Sequence, residues 1–172
     1  MTQGKSCQES EILKIGVPKE PENENRVAIV PSSMKKLAKA GFEVLIEKGA
    51  GVLANYNDSD YEAAGAILAD REAVMSCPNI IAINFPGVEG ISEGTNLVCV
   101  ADPFRNPENV KQCMKGNITL MSMDMIPRRL SRAQSMDVNS SQDNLSGYKA
   151  VLLGAANVPK LSLIHISEPT RP

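Results

Sequence analysis

Residues 26–47 read RVAIVPSSMKKLAKAGFEVLIE, and the reading of this stretch decides the fold. After Arg26, the apolar run Val27-Ala28-Ile29-Val30 reads as an extended segment running into Pro31. Ser32 or Ser33 can cap a helix that continues to Ala40, with Met34, Leu37 and Ala38 on one face and lysines on the other. Gly41 follows, the residue that ends helices because it enters the left-handed region at little cost. Residues 42–47 then form a second extended run. Strand–helix–strand is the repeating unit of a parallel sheet.

The same alternation continues outward. Upstream, residues 12–17 (ILKIGV) read as a strand stopped by Pro18, and residues 19–25 are charged and turn-rich. Downstream, short helices are expected over residues 58–64, with Asp58 as a cap, and over residues 70–76. Strands are expected over residues 66–68, 79–84, 96–100 and 118–121, and a helix over residues 107–115 with Pro107 in its first turn. The pattern predicts an α/β layered domain around a parallel sheet. Residues 127–137 break the rhythm as a polar loop with three arginines. A helix over residues 140–154 follows, with Leu145, Tyr148, Val151 and Leu152 on one side and Gly147 within it. Residues 161–172 continue none of these patterns and read as a tail foreign to the domain. The expected organisation is an N-terminal extension (residues 1–11), an α/β domain (12–126), a loop (127–139), a connecting helix (140–160) and the tail.

Composition narrows the chemistry. The net charge of −2 and the 3% aromatic content, with no Trp, argue against a nucleic-acid partner. Cys7, Cys77, Cys99 and Cys113 are scattered without C-x-x-C spacing, which fits free thiols rather than a disulfide scaffold or a zinc site. No apolar run approaches the roughly 20 residues of a membrane span, and residues 1–11 lack the apolar core of a secretory signal. The single histidine, His165, lies in the suspect tail, so no serine or cysteine triad is available in the domain. A phosphate loop of the G-x-x-x-x-G-K type is missing. Gly49-Ala50-Gly51 follows a strand but opens no helix, and it reads as a strand-exit turn before a phosphate loop.

One loop concentrates ligand-binding side chains. In residues 129–137 (RLSRAQSMD), arginine offers a planar fork of donors, the Gln134 amide both donates and accepts, and Asp137 can accept from a ribose hydroxyl or hold an arginine. Ser140 and Ser141 fall at the start of the next helix, where backbone N–H groups lack partners. Spacing alone equally fits an exposed capping loop with solvated charges. Arg26 is a second candidate, and its bland alternative is an ion pair with Glu20, Glu22 or Glu24. Tyr56 and Tyr61 are expected to pack beneath their loop, and Met121, Met123 and Met125 to alternate into the core.

Several runs resemble one family. Residues 14–20 (KIGVPKE), 25–28 (NRVA), 41–44 (GFEV) and 47–51 (EKGAG) resemble the amino-terminal domain shared by alanine dehydrogenases and transhydrogenases. Residues 131–137 (SRAQSMD), with Ser140, Ser141, Gln142 and residues 147–151 (GYKAV), are similar to the transhydrogenase branch. The resemblance runs over residues 12–160, and two departures separate the branches. Asn84 stands where alanine dehydrogenases are expected to carry a lysine, and residues 98–102 (VCVAD) hold no catalytic histidine. Imine chemistry then has no acid or base, whereas hydride transfer between two nicotinamides needs only alignment.

The resemblance implies an α/β, parallel-sheet Rossmann-like (flavodoxin-like) layered domain, truncated before a second nucleotide-binding domain. It implies a fragment, inactive alone and binding NADH weakly or not at all, of an enzyme that moves hydride between NADH and NADP+ coupled to proton translocation. The cofactors implied are NAD(H) and, on a partner domain, NADP(H). The partners implied are the NADP(H)-binding and membrane domains and a second copy in a homodimer. The implied place is a soluble domain of an enzyme of the mitochondrial inner membrane or a bacterial-type plasma membrane. Arg129, Gln134 and Asp137 would take the catalytic roles of the family's Arg-Gln-Asp loop, with Leu130, Ser131, Ser135, Met136, Ser140 and Ser141 also touching the cofactor. Residues 127–131 (PRRLS) are one residue longer than the family run, so Arg128 competes with Arg129 for the arginine role. The alternatives are an alanine dehydrogenase-like oxidoreductase and a non-catalytic α/β interaction module.

Overall fold

The structure, a computed structural model, describes residues 13–158. The expected extension over residues 1–11 and the tail over residues 161–172 lie outside the described residues. The chain divides into two compact units, one ending at Met125 and one beginning at Ile126.

The first unit contains β1 (Leu13–Val17), α1 (Pro31–Lys39), β2 (Phe42–Glu47), α2 (Asp58–Ala63), β3 (Ile67–Ala69), α3 (Arg71–Met75), β4 (Asn79–Asn84), β5 (Asn96–Val100), α4 (Pro107–Lys115) and β6 (Thr119–Ser122). All strand pairs are parallel, in the order β3-β2-β1-β4-β5-β6. This is the doubly wound Rossmann order, in which the direction of strand addition reverses between β1 and β4. Ile15, Gly16 and Val17 are all buried, as expected for a central strand covered on both faces. One core gathers Ile15, Val17, Val44 and Ile46 with Met34 of α1 and Tyr61 of α2. The other gathers Ile80, Leu97 and Cys99 with Met75 of α3 and Cys113 of α4.

Local sequence explains most boundaries. Pro31 occupies the first turn of α1, Lys36 and Lys39 sit in its last turn near the negative helix end, and Gly41 exits with φ +86°. At α2 the Asp60 carboxylate accepts the Asn57 N–H at 2.8 Å, tying off an end that would otherwise fray. The Gly49-Ala50-Gly51 turn exits β2 as expected: a Cβ on Gly51 would sit 2.6 Å from the Tyr61 ring, so only glycine fits. Tyr61 is fully buried, donates its hydroxyl to the Ile29 carbonyl at 3.0 Å, and meets Tyr56 edge-on.

Several expectations need correction. Residues 26–30 form no strand: both edges of β1 are already paired, with β2 and β4, and the segment bends at Ala28 and Ile29. The strand–helix–strand unit therefore starts at β1. Neither Ser32 nor Ser33 caps α1, whose N-cap is Val30, because Pro31 takes the first helical position. Asp58 does not cap α2 either: Asn57 is the N-cap, and the Asp58 carboxylate instead accepts the Gly49 N–H at 2.9 Å. The strand expected over residues 66–68 is Ile67–Ala69, and the strand expected from residue 118 is Thr119–Ser122. The methionine alternation fails because β6 ends at Ser122 and Met123–Met125 turns as a 3-10 helix, leaving Met121 and Met125 exposed. Cys77, Cys99 and Cys113 are free, as expected, and buried. Cys7 lies outside the described residues.

The second unit carries the arginine loop and α5 (Val138–Asn157), which extends past both ends of the expected helix. Leu145, Tyr148, Val151 and Leu152 do share the helix, yet all four are exposed. Among the described residues no helix is long and apolar enough to cross a membrane.

Candidate functional site

The loop before α5 is a chain of tight turns. The N–H of Leu130 reaches the Pro127 carbonyl at 3.3 Å, and those of Ala133 and Met136 reach the Leu130 and Ala133 carbonyls, each at 2.9 Å. Gln134–Met136 forms a short 3-10 helix that delivers the chain to Asp137. Asp137 is the N-cap of α5. Its Oδ1 accepts the Ser140 N–H at 3.0 Å and its Oδ2 accepts the Ser140 hydroxyl at 2.6 Å. The Ser140 hydroxyl, then the Ser140 N–H, hold the Asp137 carboxyl below its ordinary range, and Arg128 adds to this.

These bonds sort the candidate residues. Arg128 is committed inside the unit, with Nε 3.9 Å from Asp137 and Nη2 donating to Asp143 at 3.2 Å. Arg129 lies on the exposed surface and its side chain makes no hydrogen bond or ion pair among the described residues. The Gln134 side-chain amide is likewise exposed and unbonded among them. Leu130 and Met136 present exposed apolar surface, and Ser131 is exposed. Ser135 donates its hydroxyl to the Arg132 carbonyl at 3.3 Å, and Ser141 donates to Val138 at 2.9 Å. The expectation that Ser140 offers an open N–H is corrected, because Asp137 takes it. Asp137, Ser140 and Ser141 are turned to local bonding, while Arg129, Ser131 and Gln134 face outward.

The first unit has its own crevice, at the carboxyl ends of β1 and β4 where doubly wound sheets bind ligands. A cleft of about 290 Å³ is lined by Pro18, Lys19, Glu20, Pro21, Glu47, Arg71, Ala82, Phe85 and Pro86. Glu20, buried at its edge, accepts the Ile83 N–H at 2.6 Å and both the N–H and side-chain amide of Asn84 at 3.1 Å. Glu47 accepts the Lys19 N–H at 2.7 Å and Arg71 at 3.2 Å. Arg26 pairs with Glu24 through Nε at 2.7 Å and Nη2 at 2.6 Å, which singles out one of the three glutamates the sequence offered. That fork, above all, brings the Glu24 carboxyl down to about 2. Asn84 donates to Glu24 as well, at 3.4 Å. The position therefore supplies a neutral amide that bridges two carboxylates, and no titratable acid or base.

Sequence reading missed Glu20 and Glu47 as site-building residues. Each sits at or just past a strand's carboxyl end, and that placement was the available signal. It also missed Asp137 as a helix cap, although an aspartate directly before Val138 and three residues before Ser140 is a capping pattern.

A doubly wound parallel sheet with a crevice at its switch point places the chain in the class of open α/β domains that bind ligands at the carboxyl ends of their strands. The chain belongs to the family described as "Alanine dehydrogenase/PNT, N-terminal domain", which matches residues 16–146. It is 42% identical over 154 residues to an NAD(P) transhydrogenase alpha-subunit chain of Rhodospirillum rubrum, a match covering 83% of this chain and 40% of that one. An alanine dehydrogenase of Methanococcus maripaludis is 33% identical over 154 residues, covering 86% of this chain and 40% of the other. Among solved structures, the transhydrogenase from Sinorhizobium meliloti superposes with a TM-score of 0.81 at 35% identity, over 86% of this chain and 45% of that one. The chain thus spans less than half the length of these relatives.

Proposed function

We propose that this chain is the first domain, with its arginine–glutamine loop, of the NAD(H)-binding component of a proton-translocating NAD(P) transhydrogenase. The observation that carries the reading is the division of labour in the loop. Arg128, Asp137 and Ser140 spend their polar groups on fixing the backbone, while Arg129 and Gln134 hold theirs out. An exposed amide and an exposed guanidinium in one loop, with Leu130 and Met136 also exposed, suit a planar ring carrying a carboxamide. The Gln134 amide can donate to the carboxamide oxygen and accept from its nitrogen. Arg129 supplies a fixed charge and further donors. Bound NAD(H) would supply the hydride, and the residues here would supply alignment only.

Arg129 is therefore the ligand-facing arginine and Arg128 the positioning one. Asp137 acts by holding Arg128 and starting α5, with Ser140. Ser131, Ser135 and Ser141 line the same loop and complete its polar edge. NADP(H), on a partner domain, and a second copy of the chain in a homodimer would meet this loop side. Membrane attachment would come from other domains of the enzyme, of a mitochondrial inner membrane or a bacterial-type plasma membrane.

The alanine dehydrogenase alternative shares the fold and draws on a real relative. Against it stands Asn84, a neutral amide bonded to Glu20 and Glu24 where that chemistry needs a proton carrier. The test compares two assays on the full-length protein. NADH-to-NADP+ hydride transfer without NADH-dependent conversion of pyruvate and ammonia is expected. The reverse result would overturn the proposal, and inactivity in both would favour the interaction module.

A further inference from the structure

Four serines lie in the arginine loop or at the start of α5, and three of them are engaged. Ser135 donates its hydroxyl to the Arg132 carbonyl, Ser140 to the Asp137 carboxylate and Ser141 to the Val138 carbonyl. Ser131 differs: it is exposed, and its hydroxyl has no hydrogen-bond partner among the described residues. Arg128 and Arg129 stand three and two residues before it, exposed Leu130 one before, and Arg132 directly after. The side chains of Arg129 and Arg132 are exposed and, like the Ser131 hydroxyl, unbonded among the described residues. Half-exposed Arg128 is held by Asp137 at 3.9 Å and by exposed Asp143 at 3.2 Å. The backbone here is lightly held. The Leu130 N–H reaches the Pro127 carbonyl at 3.3 Å and the Ala133 N–H reaches Leu130 at 2.9 Å, while the N–H groups of Ser131 and Arg132 make no backbone bond among the described residues.

We propose that Ser131 is a phosphorylation site for an arginine-directed protein kinase, and that the phosphate it receives draws Arg129 and Arg132 onto the loop. Guanidinium groups are read by paired carboxylate oxygens. Two in tandem before a free hydroxyl therefore select a kinase whose groove is acidic on the N-terminal side of the acceptor. Arg129 enters such a groove as it stands, and Arg128 exchanges one solvated ion pair for another. In the transfer step the Ser131 Oγ bonds to the γ-phosphorus of a nucleoside triphosphate as the bond to the β,γ-bridging oxygen breaks. The nucleoside diphosphate leaves with that oxygen, and the hydroxyl proton passes to a carboxylate base of the kinase. The product carries a charge of roughly −1.5 to −2 at pH 7 and three acceptor oxygens. Arg129 and Arg132 lie within two residues of it with no competing partner among the described residues, so charge-assisted bonds form there. Arg129 then no longer faces outward, and the loop passes from ligand-facing to self-bonded. That consequence rests on the proposed function of Arg129; the acceptor role of Ser131 does not.

The test treats the folded chain with magnesium, γ-labelled ATP and the catalytic subunit of the cyclic-AMP-dependent protein kinase, beside a free peptide of residues 124–137. Peptide mass spectrometry locates the label. Near-stoichiometric label at Ser131 is expected, at a rate within about tenfold of the free peptide's. Ser131→Ala is expected to abolish it, and Arg129→Gln to slow it roughly tenfold or more. Label on the peptide but not on the folded chain overturns the proposal, because the fold then withholds Ser131. So does label confined to Ser135 or to other residues, or none on either substrate. Phosphorus NMR then titrates the phosphoserine, whose second pKa, about 6 when unperturbed, is expected to fall by roughly half a unit or more. In the Arg129→Gln chain it is expected to move back. A titration without that shift overturns the capture of Arg129. In the full-length protein, NADH-to-NADP+ transfer is compared before and after phosphorylation, and a loss of roughly tenfold or more that a phosphatase reverses is expected. Unchanged transfer after full modification overturns the switch. Absence of transfer before modification overturns the hydride reading and the switch with it, while label at Ser131 stands.

Discussion

Gly16 has room for a hydrogen and nothing larger. A Cβ there would collide with the Val74 carbonyl oxygen, so α3 rests directly on β1 only because this residue has no side chain. Gly16→Ala is expected to destabilise the first unit by about 1–3 kcal/mol, the usual cost of overpacking. A urea midpoint equal to that of the parent chain would show that the helix can step aside. Glu24 sets a second residue-scale expectation. Its folded-state pKa of about 2, against 4.5 for the free group, means its contribution is present above about 4.5 and lost as pH falls towards 2. Glu24→Gln should therefore lower Tm at neutral pH and leave it unchanged near pH 2, with the two melting curves converging between. A Tm difference that does not depend on pH would contradict the role given to the Arg26 fork. An ion pair for Arg26 was legible in the sequence from three nearby glutamates. Which glutamate was not, because the Glu24 carboxylate also accepts the Arg26 backbone N–H at 3.0 Å, a local contact that spacing does not reveal.

At the scale of elements, the arginine loop shows what composition can and cannot say. Its density of polar side chains was legible, and the division between Arg128 and Arg129 was not. That division depends on the 3-10 turn over Gln134–Met136, which aims Asp137 back at Arg128. Asp137→Ala is expected to fray the start of α5, seen as faster hydrogen exchange at the Ser140 amide and a loss of helical ellipticity. Unaltered exchange at Ser140 would mean that the cap is not what starts the helix. Strand ends were easier to read than helix starts. β2, β4 and β5 and helix α4 fall at the expected residues, because Pro, Gly and apolar runs mark them locally. The cap of α1 was misplaced by two or three residues and that of α2 by one, since several polar residues in a row can each serve and packing chooses among them.

For the whole molecule, alternating elements announced a parallel sheet, and the structure adds the order that locates its crevice. Two apolar runs resisted reading. Residues 26–30 look like a strand and instead bury Val27 and Ile29 beside β1, whose edges were already taken. The Leu145–Leu152 stripe looks like a core face and stays exposed, as do Met121 and Met125. Periodicity reports that a surface is apolar and is silent on whether its partner lies in the same stretch of chain. The fold could thus be read from the sequence more fully than the site, whose residues differ in hydrogen bonding and not in kind. The proposed function depends most on Gln134 facing a nicotinamide. Its most direct test is single-turnover hydride transfer from NADH to NADP+ in the full-length protein carrying Gln134→Ala. A fall of roughly 100-fold, the cost of a misaligned reacting pair, with assembly and α5 intact, is the predicted result. An unchanged rate would contradict that placement.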